Sequence, residues 1–213
     1  MTTGYFITLE GPEGGGKTLH TRALAEYLHT CGYPVLRTRE PGGTSIGDQV
    51  REVLMGLKNT AMHPRTEALL FQASRAQLVA ELIRPALAGG QVVLCDRYAD
   101  STLAYQGYGH QLFSLAELGG LIGFATGGLQ PDLTLLLDVD VETGLQRKLS
   151  EGEWNRLDAY DVAFHQRVRQ GYLELAAADP QRWLIIDAGR PLPAVQQAIF
   201  QAVLERVAGR AGR

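Results

Sequence analysis

Gly11-Pro12-Glu13-Gly14-Gly15-Gly16-Lys17-Thr18 follows an apolar, strand-like run, Tyr5-Phe6-Ile7-Thr8-Leu9, and precedes a helix-like run from Leu19 to Leu28. Strand, glycine-rich turn and helix in that order are the setting that a phosphate-binding loop requires. Glycines let backbone N–H groups curl around a phosphate, and the helix N-terminus adds the positive end of its dipole. Gly11, Pro12, Glu13, Gly14, Gly15 and Gly16 form that cradle, Lys17 reaches the β- and γ-phosphates, and the Thr18 hydroxyl is suited to Mg²⁺. The stretch therefore predicts binding of a nucleoside triphosphate. It does not say what the triphosphate is used for.

Outward from this loop, short apolar or β-branched runs recur at Tyr5–Leu9, Val35–Thr38, Val92–Cys95, Leu133–Val139 and Trp183–Ile186. Such runs are typical of buried parallel strands, and helical patterns separate them. The expected fold is a three-layer α/β architecture: a five-stranded parallel sheet with helices on both faces. At 213 residues, with no repeat or linker, the chain is expected to be one domain over 1–213. A formal charge of −3 gives no general push toward nucleic acid or an anionic membrane, and neither is expected as a partner. No apolar run is long enough to span a bilayer. Cys31 and Cys95 form neither a disulfide framework nor a metal motif, and both are expected to be buried, reduced thiols. The cytoplasm is the expected compartment.

The first helix is expected over Lys17 to about Cys31, with Gly32 as its cap and Pro34 barring continuation. Arg39-Glu40-Pro41-Gly42-Gly43-Thr44 is either a plain turn before a helix or a ligand-facing loop. Its position at the C-terminal edge of a strand, where ligands bind in open α/β sheets, favours the second. A long helix is expected over Pro64–Ile83, ended by Pro85, with Leu69, Ala73, Ala76, Ala80 and Ile83 as its core stripe. Phe71 and Arg75 share another face, either as a half-buried ring beside a surface arginine or as a pair able to stack on a base and bond its edge.

Asp96-Arg97-Tyr98 ends the third strand at the same sheet edge. The carboxylate can hold Mg²⁺ or its waters, and the arginine can grip a second phosphate. Ser101, Tyr105 and Gln106 follow in what reads as a loop. Val141–Leu149, capped by Asp140, leads through a polar connection to another helix from about Asp158. That helix carries Phe164, Val168, Tyr172 and Leu175 on its packing face. This pair of helices with Arg147, Lys148 and Arg156 is either ordinary sheet cover or a lid over about 147–158.

Glu10 to Thr18, Arg39 to Thr44, Glu67-Ala68-Leu69-Leu70-Phe71 with Arg75, and Asp96-Arg97-Tyr98 with Ser101 and Ala104-Tyr105-Gln106-Gly107 together resemble thymidylate kinase. That family of nucleoside monophosphate kinases makes dTDP from dTMP with ATP and Mg²⁺. The resemblance covers nearly the whole chain. It implies that Phe71 stacks on thymine and that Arg75 bonds the pyrimidine edge. Glu40 and Pro41 then border the base, while Arg51 and Arg97 hold the dTMP phosphate. Ser101, Tyr105 and Gln106 line the nucleoside pocket, with Tyr105 crowding the sugar 2′ position. It also implies Thr18 and Asp96 at Mg²⁺, Glu13 facing the acceptor or a lid arginine, and a homodimer. The phosphate loop has no arginine of its own, so the lid is expected to supply one. Leu149 and Glu151 stand where the bacterial branch often has arginines, which leaves Arg147 or Arg156 as the expected catalytic cation with Lys148 beside them. Another P-loop kinase and a switch-type NTPase are the alternatives. No Asn-Lys-x-Asp guanine signature supports a GTPase.

Overall fold

The computed structural model describes residues 4–152 and 154–211. Among them, β1 (Tyr5–Glu10), β2 (Val35–Arg39), β3 (Val92–Asp96), β4 (Leu133–Asp138) and β5 (Trp183–Asp187) form one parallel sheet in the order β2-β3-β1-β4-β5. The expected strands are present; four run one residue further and β4 stops one residue sooner. In register, Leu9 pairs with Asp96 and Arg39 with Asp96. The C-terminal strand ends therefore carry Glu10, Arg39, Asp96, Asp138 and Asp187 along one edge of the sheet.

Side-chain alternation sorts the layers. Ile7 and Leu9 of β1 face α1 (Lys17–Thr30) and α9 (Leu192–Ala211), where Leu24, Leu28, Val195 and Ile199 are buried. Phe6 faces the opposite way and packs with Leu78, Val79, Ile83 and Tyr98. Further along that face lies a third cluster, with Phe164, Val168, Tyr172 and Trp183. Helices cover both faces, as expected of the three-layer P-loop kinase fold. Gly32, at φ 85, lies just past α1, and Cys31 beside it is exposed rather than buried. Cys95, inside β3, is buried.

The helix after β2, α2 (Ser45–Met55), is capped by Thr44, whose side chain accepts from the Gly47 N–H. The long helix departs from expectation in two ways. First, α3 (Pro64–Leu78) widens into a π-helical turn at Val79–Ile83 and continues as α4 (Arg84–Ala88). The Arg84 N–H reaches back to the Val79 carbonyl, so Pro85 falls in the first turn of the next segment, where its missing N–H costs nothing. Pro85 thus does not end the helix. Second, only part of the expected core stripe is buried: Ile83 is, and Ala76 is half-buried. Leu69, Ala73 and Ala80 are exposed, while Glu67, Ala68, Gln72, Ser74, Arg75 and Leu78 are buried. The helix hides a polar face because that face packs onto the functional site, which apolar periodicity cannot register.

The segment after Tyr98 is not a loop. It forms α5 (Ala99–Thr102) and a π-helical stretch, Leu103–Gly109, that buries Tyr105 and Gln106. A further helix, α6 (Leu115–Thr126), not expected from the apolar pattern, starts at a capping box formed by Ser114 and Glu117. Beyond β4, α7 (Val141–Glu151) begins at the expected Asp140 cap. The next helix, α8 (Val162–Ala178), starts later than expected, capped by Asp161, because residues around Arg156–Tyr160 form successive turns. Phe164, Val168 and Tyr172 are buried as expected and Leu175 is half-buried. Glu153, within the expected lid, lies outside the described residues.

Candidate active site

The chain leaves β1 at Gly11 and enters α1 through Gly16, which holds a left-handed conformation (φ 76) that a glycine adopts without strain. Gly14 is constrained more tightly. A Cβ there would run into the Gly144 carbonyl oxygen, so α7 packs backbone against backbone on the phosphate loop. Lys17 Nζ donates to the carbonyl oxygens of Gly11 (3.1 Å) and Pro12 (2.7 Å). Burial, reinforced by the like charge of Arg97, pushes the Lys17 ammonium down to about 8, with Glu13 and Asp96 opposing the shift. The Thr18 hydroxyl donates to Asp96 Oδ2 at 2.6 Å, which joins the start of α1 to the end of β3.

Arg97 is one of two described non-glycine residues at positive φ (68°), a conformation costing roughly 1–3 kcal/mol that recurs at functional sites. That backbone turns its guanidinium back across β1. Nη1 donates to Gly11 O (2.9 Å) and the Tyr172 hydroxyl (3.1 Å). Nη2 donates to Glu13 Oε1 (2.7 Å) and the Tyr105 hydroxyl (3.1 Å), and Tyr105 donates to the same Glu13 oxygen at 2.7 Å. Burial would raise the Glu13 carboxyl, but Arg97 and Lys17 outweigh it and hold the group down at about 2. Below this cluster, Glu10 accepts from the Tyr98 N–H, Ser101 and Tyr172, and burial pushes it up to about 7.

These groups open on a cavity of about 760 Å³, a size usual for nucleotide-sized ligands. Its walls include Glu13, Gly14, Gly16, Lys17, Thr18, Glu40, Pro41, Arg51, Phe71, Asp96, Arg97, Ser101, Tyr105 and Gln106, all of them anticipated. Gly11, Pro12 and Gly15 lie beneath, as the buried frame of the loop. Arg51 donates to Pro41 O at 3.0 Å, and burial followed by repulsion from Arg39 lowers its pKa. Arg22, Arg37 and Arg39 also line the cavity, as do Thr102, Met55, Asn155 and Leu157. Arg39 opens the turn expected to face a ligand, and Asn155 and Leu157 fall in the expected lid, whereas Arg22, Arg37, Met55 and Thr102 were not anticipated. The signal available was the alternation Arg37-Thr38-Arg39 along β2, which sends both arginines to one face at the sheet's binding edge.

Three further anticipated residues, all arginines, stand outside the cavity wall. Arg75 is 1% exposed. It donates to Glu40 Oε2 (2.8 Å), Gln72 (2.8 Å), Thr102 (2.9 Å) and Tyr98 O (2.9 Å). One of its acceptors, Thr102, lines the cavity. Arg147 donates to Ala188 O (3.0 Å) and Gly14 O (3.4 Å), bracing α7 against the phosphate loop. Arg156, 5% exposed, donates to Leu54 O (2.8 Å), the Tyr160 hydroxyl (3.2 Å) and Glu67 Oε2 (2.7 Å). Glu67 also accepts from Gln106 (2.7 Å) and bonds His110 (3.0 Å), so one buried carboxylate joins α3, the π-helical stretch and the segment after α7.

A glycine-rich loop, the Phe71 ring and several arginines thus line one cavity. The sequence model of the family described as Thymidylate kinase matches residues 9–199. The chain belongs to the thymidylate kinase family. A thymidylate kinase of Deinococcus radiodurans is 53% identical, covering 97% of this chain and 99% of that one. A thymidylate kinase of Herpetosiphon aurantiacus is 51% identical, covering 93% and 94%. A solved thymidylate kinase structure from Ehrlichia chaffeensis has a TM-score of 0.79 at 32% identity, covering 94% of this chain and 99% of that one. Sequence and fold therefore make this chain a kinase. Among the described residues, no helix is long and apolar enough to cross a membrane.

Proposed function

We propose that the cavity transfers the γ-phosphoryl group of ATP to the phosphate of dTMP, giving ADP and dTDP for dTTP synthesis. One observation carries this reading: a single cavity is lined by Lys17 and Thr18 of the phosphate loop, by the Phe71 ring and by Arg97 and Arg51. That is one seat for a triphosphate and one for a nucleoside monophosphate. Phe71 stacks on thymine, with Glu40 and Pro41 beside the base. Arg75 reaches the base edge by sharing donors now given to Gln72 or Thr102. Arg51 and Arg97 hold the acceptor phosphate, and Ser101, Tyr105 and Gln106 enclose the sugar. Tyr105, held by Glu13 and Arg97, crowds a ribose 2′-hydroxyl.

The chemistry asks for alignment and charge neutralisation rather than covalent help. The γ-phosphorus bond to the ADP oxygen breaks while a bond to a dTMP phosphate oxygen forms. Lys17 turns from the Gly11 and Pro12 carbonyls to the β- and γ-oxygens. Glu13 keeps Arg97 and Tyr105 aimed and remains ionised throughout the neutral range. The paired oxygens of Thr18 and Asp96 are hard donors that would hold Mg²⁺. When bound, Mg²⁺ neutralises charge on the phosphates. The segment 147–158 acts as the lid, and we place the enzyme in the cytoplasm.

A coupled ADP-release assay with dTMP, dUMP, thymidine and the common ribonucleoside monophosphates tests this reading. We expect dTMP to give the highest kcat/KM, with ribonucleotides lower by on the order of 10² or more, since a site built around one ligand leaves polar groups unpaired with another. Equal turnover on all acceptors, or ATP hydrolysis without transfer, contradicts it.

We further propose a homodimer. Ile46 and Val53 on α2, Leu69 on α3 and Phe124 on α6 are exposed, Phe124 to 91%, and α3 packs against both α2 and α6. Large exposed apolar side chains on adjoining helices favour burial against a second copy. Sedimentation is expected to give twice the 23.2 kDa chain mass, and a monomer at micromolar concentration contradicts this proposal.

A further inference from the structure

A guanidinium presents its N–H donors as a planar fork, so its direction is fixed only when acceptors hold it from more than one side. Arg97 is held in this way. Its two Nη2 partners, Glu13 and Tyr105, line the cavity. The two acceptors nearest to Nη1, Gly11 O at 2.9 Å and the Tyr172 hydroxyl at 3.1 Å, lie off the cavity wall. A phosphate entering the cavity competes for the donors on the cavity side, whereas the Nη1 bonds stay in place behind them. Tyr172 is fully buried on α8, and its ring meets those of Tyr105 and Trp183 edge-on. The stripe Phe164, Val168 and Tyr172 reads as core, yet its last member carries a hydroxyl into the arginine site.

We infer that Tyr172 is a positioning residue for phosphotransfer: its hydroxyl, directed by Glu10, holds Arg97 in the pose that receives the acceptor phosphate. The inference rests on the dTMP reading above. A phenol has one proton and two lone pairs. Burial and the charge of Glu10 hold the Tyr172 phenol well above its ordinary pKa, so the proton stays on it. To accept from Arg97, Tyr172 must aim that proton elsewhere, and Glu10 Oε2 takes it at 3.0 Å. The same oxygen accepts from the Ser101 hydroxyl at 2.6 Å, while Oε1 accepts the Tyr98 N–H at 2.7 Å. One carboxylate at the end of β1 thus sets the direction of both hydroxyls and leaves a Tyr172 lone pair facing Nη1. Ser101 is no substitute, since its oxygen stands 3.4 Å from Nη1. The need for a rigid hold is clear from the Arg97 backbone, whose positive φ persists only where its surroundings over-determine it. Because Tyr172 lies off the cavity wall, it acts on the phosphate only through Arg97.

Tyr172→Phe keeps the ring and removes the hydroxyl. The test measures the Kd of dTMP, and of thymidine, which lacks the phosphate, for the parent, Tyr172→Phe, Arg97→Ala and the double variant. Tyr172→Phe is expected to weaken dTMP by on the order of tenfold, the usual worth of a hydrogen bond to a charged group, and to leave thymidine within about twofold. Added to Arg97→Ala, it is expected to change the dTMP Kd by less than about twofold, because the residue it acts through is already gone. Glu10→Gln offers one carbonyl oxygen to three donors and is expected to show the same selective loss. It carries the comparison should Tyr172→Phe not fold. A dTMP Kd within about twofold of the parent for the folded variant, or equal weakening of dTMP and thymidine, overturns the role of Tyr172. A parent unable to phosphorylate dTMP overturns the functional reading itself.

Discussion

Lys17→Ala is expected to lower kcat/KM for dTMP phosphorylation by on the order of 10³ while leaving the melting temperature within a few degrees of the parent. Two properties of the side chain produce this split. Lys17 is buried and donates only to loop carbonyls, Gly11 and Pro12, whose remaining lone pairs can take other donors. Its ammonium is held below its ordinary pKa by burial and by Arg97, so the fold gains little from keeping it charged. In the reacting complex the same charge meets phosphate oxygens in a water-poor site, where one fixed donor is worth about 10²–10³ and a fixed cation more. Retention of a tenth of the parent activity would remove Lys17 from the mechanism.

Glu67→Ala is expected to lower the melting temperature by roughly 6–20 °C. Glu67 is fully buried and ties Arg156, Gln106 and His110 into one network. Burial alone would raise its carboxyl, but hydrogen bonds from His110 and Arg156 hold it below the usual carboxylate range. Truncation leaves the Arg156 guanidinium charged, desolvated and unpaired, which costs about 3–5 kcal/mol. For a chain of this size each kcal/mol moves the midpoint by about 2–4 °C. Glu67→Gln keeps an acceptor without the charge and should fall between parent and alanine. A midpoint for Glu67→Ala within 2 °C of the parent would show that Arg156 is not structurally committed, and would reopen a catalytic role for it.

These two residues illustrate what one-dimensional reading can recover. Lys17 was legible because a phosphate loop is local: its glycines, lysine and threonine are contiguous, and the flanking strand and helix are apolar enough to identify. The five strands were legible for the same reason, each being a short apolar or β-branched run, although the edge strands β2 and β5 are only partly buried. Glu67 was quoted only as part of a resemblance, because its partners lie 39, 43 and 89 positions away. The apolar stripe chosen for α3 largely failed for a related reason. That helix turns Glu67, Gln72 and Arg75 inward onto long-range partners and leaves Leu69 outside.

The lid was the hardest part. Its basic residues could be listed from the sequence, but their directions depend on the contact between Gly14 and Gly144 and on the depth at which Arg156 is buried. Neither is encoded within the lid itself. The π-helical turns at Val79–Ile83 and Leu103–Gly109 were equally invisible, since a widened turn uses the same residue types as a regular one. Cys31 shows the same limit at a helix end, where a residue beside an apolar run points to solvent.

The most direct test of the phosphotransfer account follows the transferred group itself. With ATP labelled at the γ-phosphate, dTMP and Mg²⁺, the label is predicted to appear in dTDP, with one ADP formed for each dTDP. Label recovered only as inorganic phosphate, with dTMP unchanged, would contradict it.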